Sequence, residues 1–139
     1  MRTYLIDEDP ISLFLTEHVL RTEGFADDIR AFTAAEEALA YLVPRIATAV
    51  PRVIFLDLNM PVLDGWGFLM ALTPYAAALQ GRCRIYLLTS SLALADTTRA
   101  QDCALVAGII HKPLDEELVQ TILADLRAEA AARTGQPEA

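Results

Sequence analysis

Val53-Ile54-Phe55-Leu56-Asp57-Leu58-Asn59-Met60-Pro61-Val62-Leu63-Asp64-Gly65 is the stretch that decides how this chain folds. Four consecutive apolar residues ending in one carboxylate read as a strand buried on both faces, the pattern of a parallel sheet. Pro61, Asp64 and Gly65 then punctuate a turn. Carboxylates are rarely buried unless they are paired or coordinate a metal. Asp57, placed where the strand surfaces, therefore reads as a reactive or metal-binding group rather than a packing element.

Working outward, the chain alternates short apolar runs with longer amphipathic ones. Residues 4–6 predict a first strand that runs into Asp7-Glu8-Asp9. Asp9 suits a helix N-cap and Pro10 the first helical position. That helix carries Ile11, Phe14, Leu15 and Val19 on one side and stops at Gly24. A weaker second strand covers residues 28–32. Thr33 to Glu36 has capping-box spacing, and Ala35, Ala38, Leu39, Leu42 and Ile46 follow at helical intervals.

Beyond the central stretch, a helix beginning near Asp64 carries Trp66 and Leu69, and Thr73-Pro74 ends or kinks it. Residues 84–88 form a fourth strand leading to Thr89-Ser90-Ser91. A helix rich in Ala, Thr and Asp spans 94–105. Residues 108–111 form a fifth strand that delivers Lys112-Pro113, and Asp115 caps a last helix bearing Leu118, Ile122 and Leu126. Five strands alternating with five helices imply an α/β domain whose doubly wound parallel sheet is covered on both faces. The domain is expected over residues 1–127, with a frayed or disordered tail at 128–139 where apolar periodicity is lost.

Bulk properties narrow the function. A chain of 139 residues, 54% hydrophobic and 22% charged, suits a single globular domain. The net charge of −8 disfavours nucleic acid and anionic membrane surfaces, since both are bound through Lys and Arg. No apolar run approaches the roughly 20 residues of a spanning helix. The N-terminus enters a strand directly, leaving no room for a signal peptide. Cys83 and Cys103 lack metal-motif spacing and read as free thiols. A cytoplasmic protein is expected.

In a parallel sheet the strand C-termini share one edge, and ligands bind in the crevice outside it where strand order reverses. Here that edge collects Asp7 and Glu8, Asp57, Thr89 and Lys112 from four strands. Unit charges about 4 Å apart interact by roughly 4 kcal/mol at an effective dielectric of 20, so convergent carboxylates shift a pKa or recruit a counter-ion. Hard oxygen ligands without His or Cys favour Mg²⁺. Asp57 could then act as a nucleophile toward a phosphoryl group, with Lys112 and the Thr89 hydroxyl holding its oxygens.

These residues match a family. Leu5-Ile6-Asp7-Glu8-Asp9-Pro10, Phe55-Leu56-Asp57-Leu58-Asn59-Met60-Pro61 with Asp64-Gly65, Leu88-Thr89-Ser90-Ser91 and His111-Lys112-Pro113-Leu114 occur in order. With them, residues 3 to 127 resemble the receiver domain of two-component response regulators, particularly the stand-alone, chemotaxis-type form. The resemblance implies a flavodoxin-like fold with strand order 2-1-3-4-5, an order known for a chemotaxis receiver. It implies that Asp57 accepts phosphate from a sensor histidine kinase or a histidine phosphotransfer protein, and that the chain is a signalling phosphoacceptor rather than an enzyme acting on other substrates. It implies Mg²⁺ held by Glu8, Asp57 and the main-chain carbonyl of Asn59, with Asp7 acting through water. Thr89 and Lys112 would respond to the phosphate, a cis peptide is expected at Lys112-Pro113, and a downstream protein target would read the result. With no effector segment after the last helix, output through a separate partner is expected, and pairing with a second copy through the last helices is left open.

Two departures stand out. Glu8 occupies a place often held by Asp, and Ile109 stands where an aromatic switch residue is common. Rival readings fare worse. A phosphatase using Asp7 in Asp7-Glu8-Asp9 needs a further acidic metal motif, for which only Asp115-Glu116-Glu117 is at hand. A flavodoxin needs a Ser/Thr-rich phosphate loop after the first strand. A receiver-like interaction module working without phosphorylation is the remaining alternative, weakened by retention of every acidic and Lys position. His18 and His111 read as structural, and Asp64 and Gly65 as turn and helix-start residues.

Overall fold

A computed structural model describes residues 2–25, 28–90 and 94–134. Five strands, β1 (Arg2–Ile6), β2 (Asp28–Phe32), β3 (Val53–Asp57), β4 (Arg84–Thr89) and β5 (Val106–His111), form one sheet in the order β2-β1-β3-β4-β5. Every neighbouring pair is parallel. The expected order is therefore observed, and strand order reverses between β1 and β3, whose C-termini carry Asp7 and Asp57.

The connections are α1 (Pro10–Thr22), α2 (Ala35–Leu42), α3 (Gly65–Leu72), α4 (Ala76–Leu79), α5 (Leu94–Gln101) and α6 (Glu116–Thr134). A 3₁₀ turn at Thr73–Tyr75 joins α3 to the single turn of α4, so Pro74 interrupts this helical connection without abolishing it. Counted with that interruption, each strand is followed by one helical connection, five in all.

Strand periodicity sorts the core onto two faces. Tyr4, Ile6, Ile54, Leu56, Ile85 and Leu87 pack under Ala38 and Leu42 of α2, Phe68 and Leu72 of α3, and Ala100 of α5. Leu5, Val53, Phe55 and Leu88 face Leu20 of α1 and Val119, Ile122, Leu123 and Leu126 of α6. All of β3 is buried, as its unbroken apolar run requires. Asp9 accepts from the Ile11 amide at 3.0 Å and Asp115 from Leu118 at 2.7 Å, the caps the sequence suggests, whereas the box expected at Thr33 to Glu36 does not form: α2 starts after Ala34, which makes no side-chain cap bond.

Two expectations fail. The side of α1 bearing Ile11, Phe14 and Leu15 faces solvent, at 71%, 70% and 55% exposure, and of that set only Val19 packs on the core. Thr16 and Leu20 are buried instead, with Leu13 partly so. On the same packed side the Ser12 hydroxyl donates to Asp7 at 2.6 Å. The second correction concerns the C-terminus. α6 runs through Thr134, past the expected boundary at 127, while residues 135–139 of the expected tail lie outside the described residues. Glu129 on its last turns meets Arg84 at 2.7 Å and Arg52 at 3.3 Å, and the Arg52 guanidinium also donates to the Leu126 carbonyl. Such partners lie too far apart in the chain for helical periodicity to reveal them.

These ion pairs are half-buried and share one carboxylate, so they exceed an ordinary surface pair. Glu129→Ala should lower stability by about 1 kcal/mol in urea unfolding and speed amide exchange in the last turns of α6 while leaving β1 and β3 protected.

Candidate functional site: an acidic rim bridged by one lysine

The site is assembled from three strand ends. Asp7 follows β1, Asp57 closes β3, and Lys112 follows β5. Lys112 Nζ donates to Asp7 Oδ2 at 2.8 Å and lies 3.6 Å from Asp57 Oδ1. Asp7 is wholly buried and Asp57 nearly so, whereas the lysine reaches solvent. The Lys112 amide donates to the Thr89 carbonyl at 2.8 Å, fixing the two loop residues to one another, and the Lys112–Pro113 peptide is cis, as expected. Thr89 is fully buried at the end of β4.

Asp7 is saturated with donors. Beyond Lys112 and Ser12, the Asp9 amide donates to its Oδ1 at 3.0 Å. Burial by itself would raise the Asp7 carboxyl, but the Lys112, Ser12 and Asp9 hydrogen bonds outweigh it and hold the group below the usual carboxylate range. Asp57 goes the other way. Burial first, then the charge of Asp7, push it up to about 6, against the opposing pull of Lys112 and the Asn59 amide at 3.3 Å. Two carboxylates thus share one ammonium, and Asp57 is the one left short of positive charge.

Local backbone presses the β3–α3 loop onto Asp57. The Gly65 amide donates to the Leu58 carbonyl at 3.1 Å, and a Cβ on Gly65 would sit 2.9 Å from the Asp57 carbonyl oxygen and the Leu58 Cα. Only glycine permits that approach. Asp64 caps α3 by accepting from Gly67 at 2.8 Å, the helix-start role its position suggests. Val62, 94% exposed, has φ of 67°, a left-handed conformation that a β-branched residue rarely adopts.

The structure brings Asp7, Asp57 and Lys112 together and leaves Glu8 and Asn59 exposed on the same rim. Among the described residues no three His, Cys, Asp or Glu side chains gather into a metal cage. The donor set nonetheless suits Mg²⁺, which uses one or two carboxylates and keeps its waters; two adjacent carboxylates with a single ammonium are short of positive charge. Ser12 is the partner that sequence reasoning missed. A serine in the first turn of a helix carries no signal of its own, and its importance depends on Asp7 lying against it.

The titration of Asp57 has a consequence for stability. An acid whose folded-state value is raised favours folding while protonated, and this contribution fades as pH rises from about 4 through about 6. Above that range the ionised Asp57 opposes folding. Asp57→Asn, measured in chelator, should therefore be more stable than the parent by about 2 kcal/mol at pH 8, with the gain vanishing below pH about 4; denaturant melts across pH would show it.

Comparison with known proteins places this geometry. The model of the response regulator receiver domain matches residues 4–124. In structure the chain is similar to a two-component response regulator from Cytophaga hutchinsonii, at 25% identity and a TM-score of 0.84 over 91% of this chain and 96% of that one. It is also similar to a response regulator receiver protein from Dyadobacter fermentans DSM 18053, at 26% identity and a TM-score of 0.80 over 91% and 98%. Among curated proteins none matches the chain significantly. A family match running from β1 into α6, across the whole five-stranded sheet, leads to one conclusion: the chain belongs to the response regulator receiver domain family.

Proposed function

We propose that this receiver accepts a phosphoryl group on Asp57 from a phosphohistidine of a sensor histidine kinase or histidine phosphotransfer protein, and signals through a change in protein binding. The observation that carries this reading is the lysine bridging two buried carboxylates at the topological switch point. In the transfer, an Asp57 carboxylate oxygen forms a bond to phosphorus as the donor's P–N bond breaks, and the released imidazole takes its proton from solvent. Lys112, already within 3.6 Å of Asp57, offsets charge on the new phosphate oxygens. Asp7, Glu8, Asp57 and the Asn59 main-chain carbonyl would hold Mg²⁺, which when bound supplies further positive charge for phosphoryl transfer.

The phosphate adds a charge of about −2 where one carboxylate stood. Thr89 and Lys112 respond to it, a reading supported by the backbone bond that ties the ends of β4 and β5 together. Ile109 is only partly buried against the α2–α3–α5 face, so an aliphatic side chain fills the place where an aromatic switch is common. The response then runs through Thr89 and α5 to a downstream partner. No described helix is long and apolar enough to cross a membrane, which accords with a cytoplasmic setting.

The exposed apolar side of α1 fits the phosphodonor. Ile11 and Leu15 line a groove of about 500 Å³ that reaches Asp9, Lys112 and Pro113, so a helical partner lying there would sit beside Asp57. Exposed contiguous apolar surface next to a reactive site marks an interaction face.

Incubation with acetyl phosphate and Mg²⁺ followed by intact-mass measurement should add one phosphoryl group, and Asp57→Asn should add none. Absence of any gain, with acetyl phosphate and with a cognate kinase, would leave the phosphorylation-independent module as the reading. Leu15→Asp should slow transfer from a phosphodonor protein by about tenfold or more while leaving labelling by acetyl phosphate unchanged, a difference read directly from initial rates.

A further inference from the structure

The far end of the sheet holds a second polar concavity, of about 170 Å³, lined by Arg2 and Tyr4 of β1, Asp28 and Arg30 of β2, Tyr41 of α2, and Arg45 beyond it. Among the described residues three guanidinium groups meet one carboxylate there, in a chain whose net charge is −8. Arg2 Nε pairs with Asp28 at 3.1 Å. The Arg45 guanidinium lies 3.6 Å from the centroid of the Tyr41 ring and donates to the Tyr41 carbonyl at 2.7 Å, while that of Arg30 lies 4.3 Å from the same centroid. A guanidinium stacked on a ring uses its face and leaves in-plane N–H donors for an oxyanion.

The second observation lies at the floor. Tyr4 is wholly buried, yet its hydroxyl has no hydrogen-bond partner. A buried unpartnered hydroxyl costs free energy and calls for an explanation. Burial and then Tyr41 raise its phenol, while Arg45, Arg2 and Arg30 pull the other way, so the group that lacks a partner feels all three arginines. The other buried orphan among the described residues, the Thr3 hydroxyl, belongs to the preceding residue of the strand and so to the opposite face.

We propose that this concavity binds a phosphate oxyanion, either inorganic phosphate or the phosphate group of a small phosphomonoester, held by Arg2, Arg30 and Arg45 with the Tyr4 hydroxyl donating from below. Arginine forks match phosphate oxygens, and charge-assisted bonds of this kind are the stronger ones. The hydroxyl is closed to solvent, so the long arginine side chains shift as the anion enters, exchanging part of their contact with Tyr41 for contact with it. The site stands apart from the acidic rim: Tyr4 sits within β1 and Asp7 beyond its end. It does not depend on phosphorylation of Asp57.

Calorimetric titration at constant ionic strength tests it, with inorganic phosphate and glycerol 3-phosphate as separate probes. Saturable binding of one or both is expected, and the tighter probe identifies the source. Arg30→Gln, at an exposed strand position, should weaken binding by about tenfold. Tyr4→Phe keeps the packed ring and removes only the hydroxyl, so it should also weaken binding while raising the melting temperature of the unliganded protein. Lack of saturable binding of either probe would overturn the proposal, as would affinity unchanged in Arg30→Gln or in Tyr4→Phe.

Discussion

The ammonium of Lys112 lying between the carboxylates of Asp7 and Asp57 is the constraint on which the functional end of the molecule depends. Two buried acids from neighbouring strands cannot both stay ionised without a positive partner, and the lysine satisfies one more fully than the other. Asp7 takes the short bond and two further donors, Ser12 and Asp9, with it; Asp57 keeps the longer contact and an elevated proton affinity. The imbalance leaves Asp57 the carboxylate short of positive charge, the one beside which a bound cation would relieve electrostatic conflict.

Much of the surrounding fold can be read as the means of holding that imbalance. β1 and β3 must be adjacent for the acids to meet, and the reversal of strand order between them opens the crevice. Gly65 lets the β3–α3 loop fold back against Asp57, and the amide of Lys112 is tied to Thr89. The Ser12 bond to Asp7 lies on the packed side of α1 and joins that helix to the site, while Ile11, Phe14 and Leu15 face outward.

Charge is distributed along the strands in a consistent sense. Acids occupy the C-terminal edge, at Asp7 and Asp57, while arginines occupy the N-terminal edge, at Arg2, Arg52 and Arg84. Arg52 and Arg84 are absorbed in anchoring Glu129 and the end of α6. Arg2 joins Arg30 and Arg45 around Tyr41, where positive charge exceeds negative and a buried hydroxyl waits for a partner. Opposite ends of one sheet thus have opposite electrostatic characters, suited to a cation at one end and an anion at the other.

Alternation of apolar runs with helical periodicity was enough to specify strand number, parallel sense and the rim to which Asp57, Thr89 and Lys112 belong, because buried parallel strands must be apolar throughout and must end together. The family's ordered motifs supplied the strand order. Tertiary structure decided what depends on contacts between distant segments. The outward face of α1 depended on which of its sides meets the sheet, where Thr16 and Leu20 are buried and Ser12 reaches Asp7, since a pattern of apolar residues does not say which side packs inward. The continuation of α6 to Thr134 followed from Glu129 finding two arginines on other strands, and the basic concavity from residues of β1, β2 and α2 that meet only when the sheet is formed. Periodicity reports how a segment relates to itself; which charge meets which is settled by the packing of the whole chain.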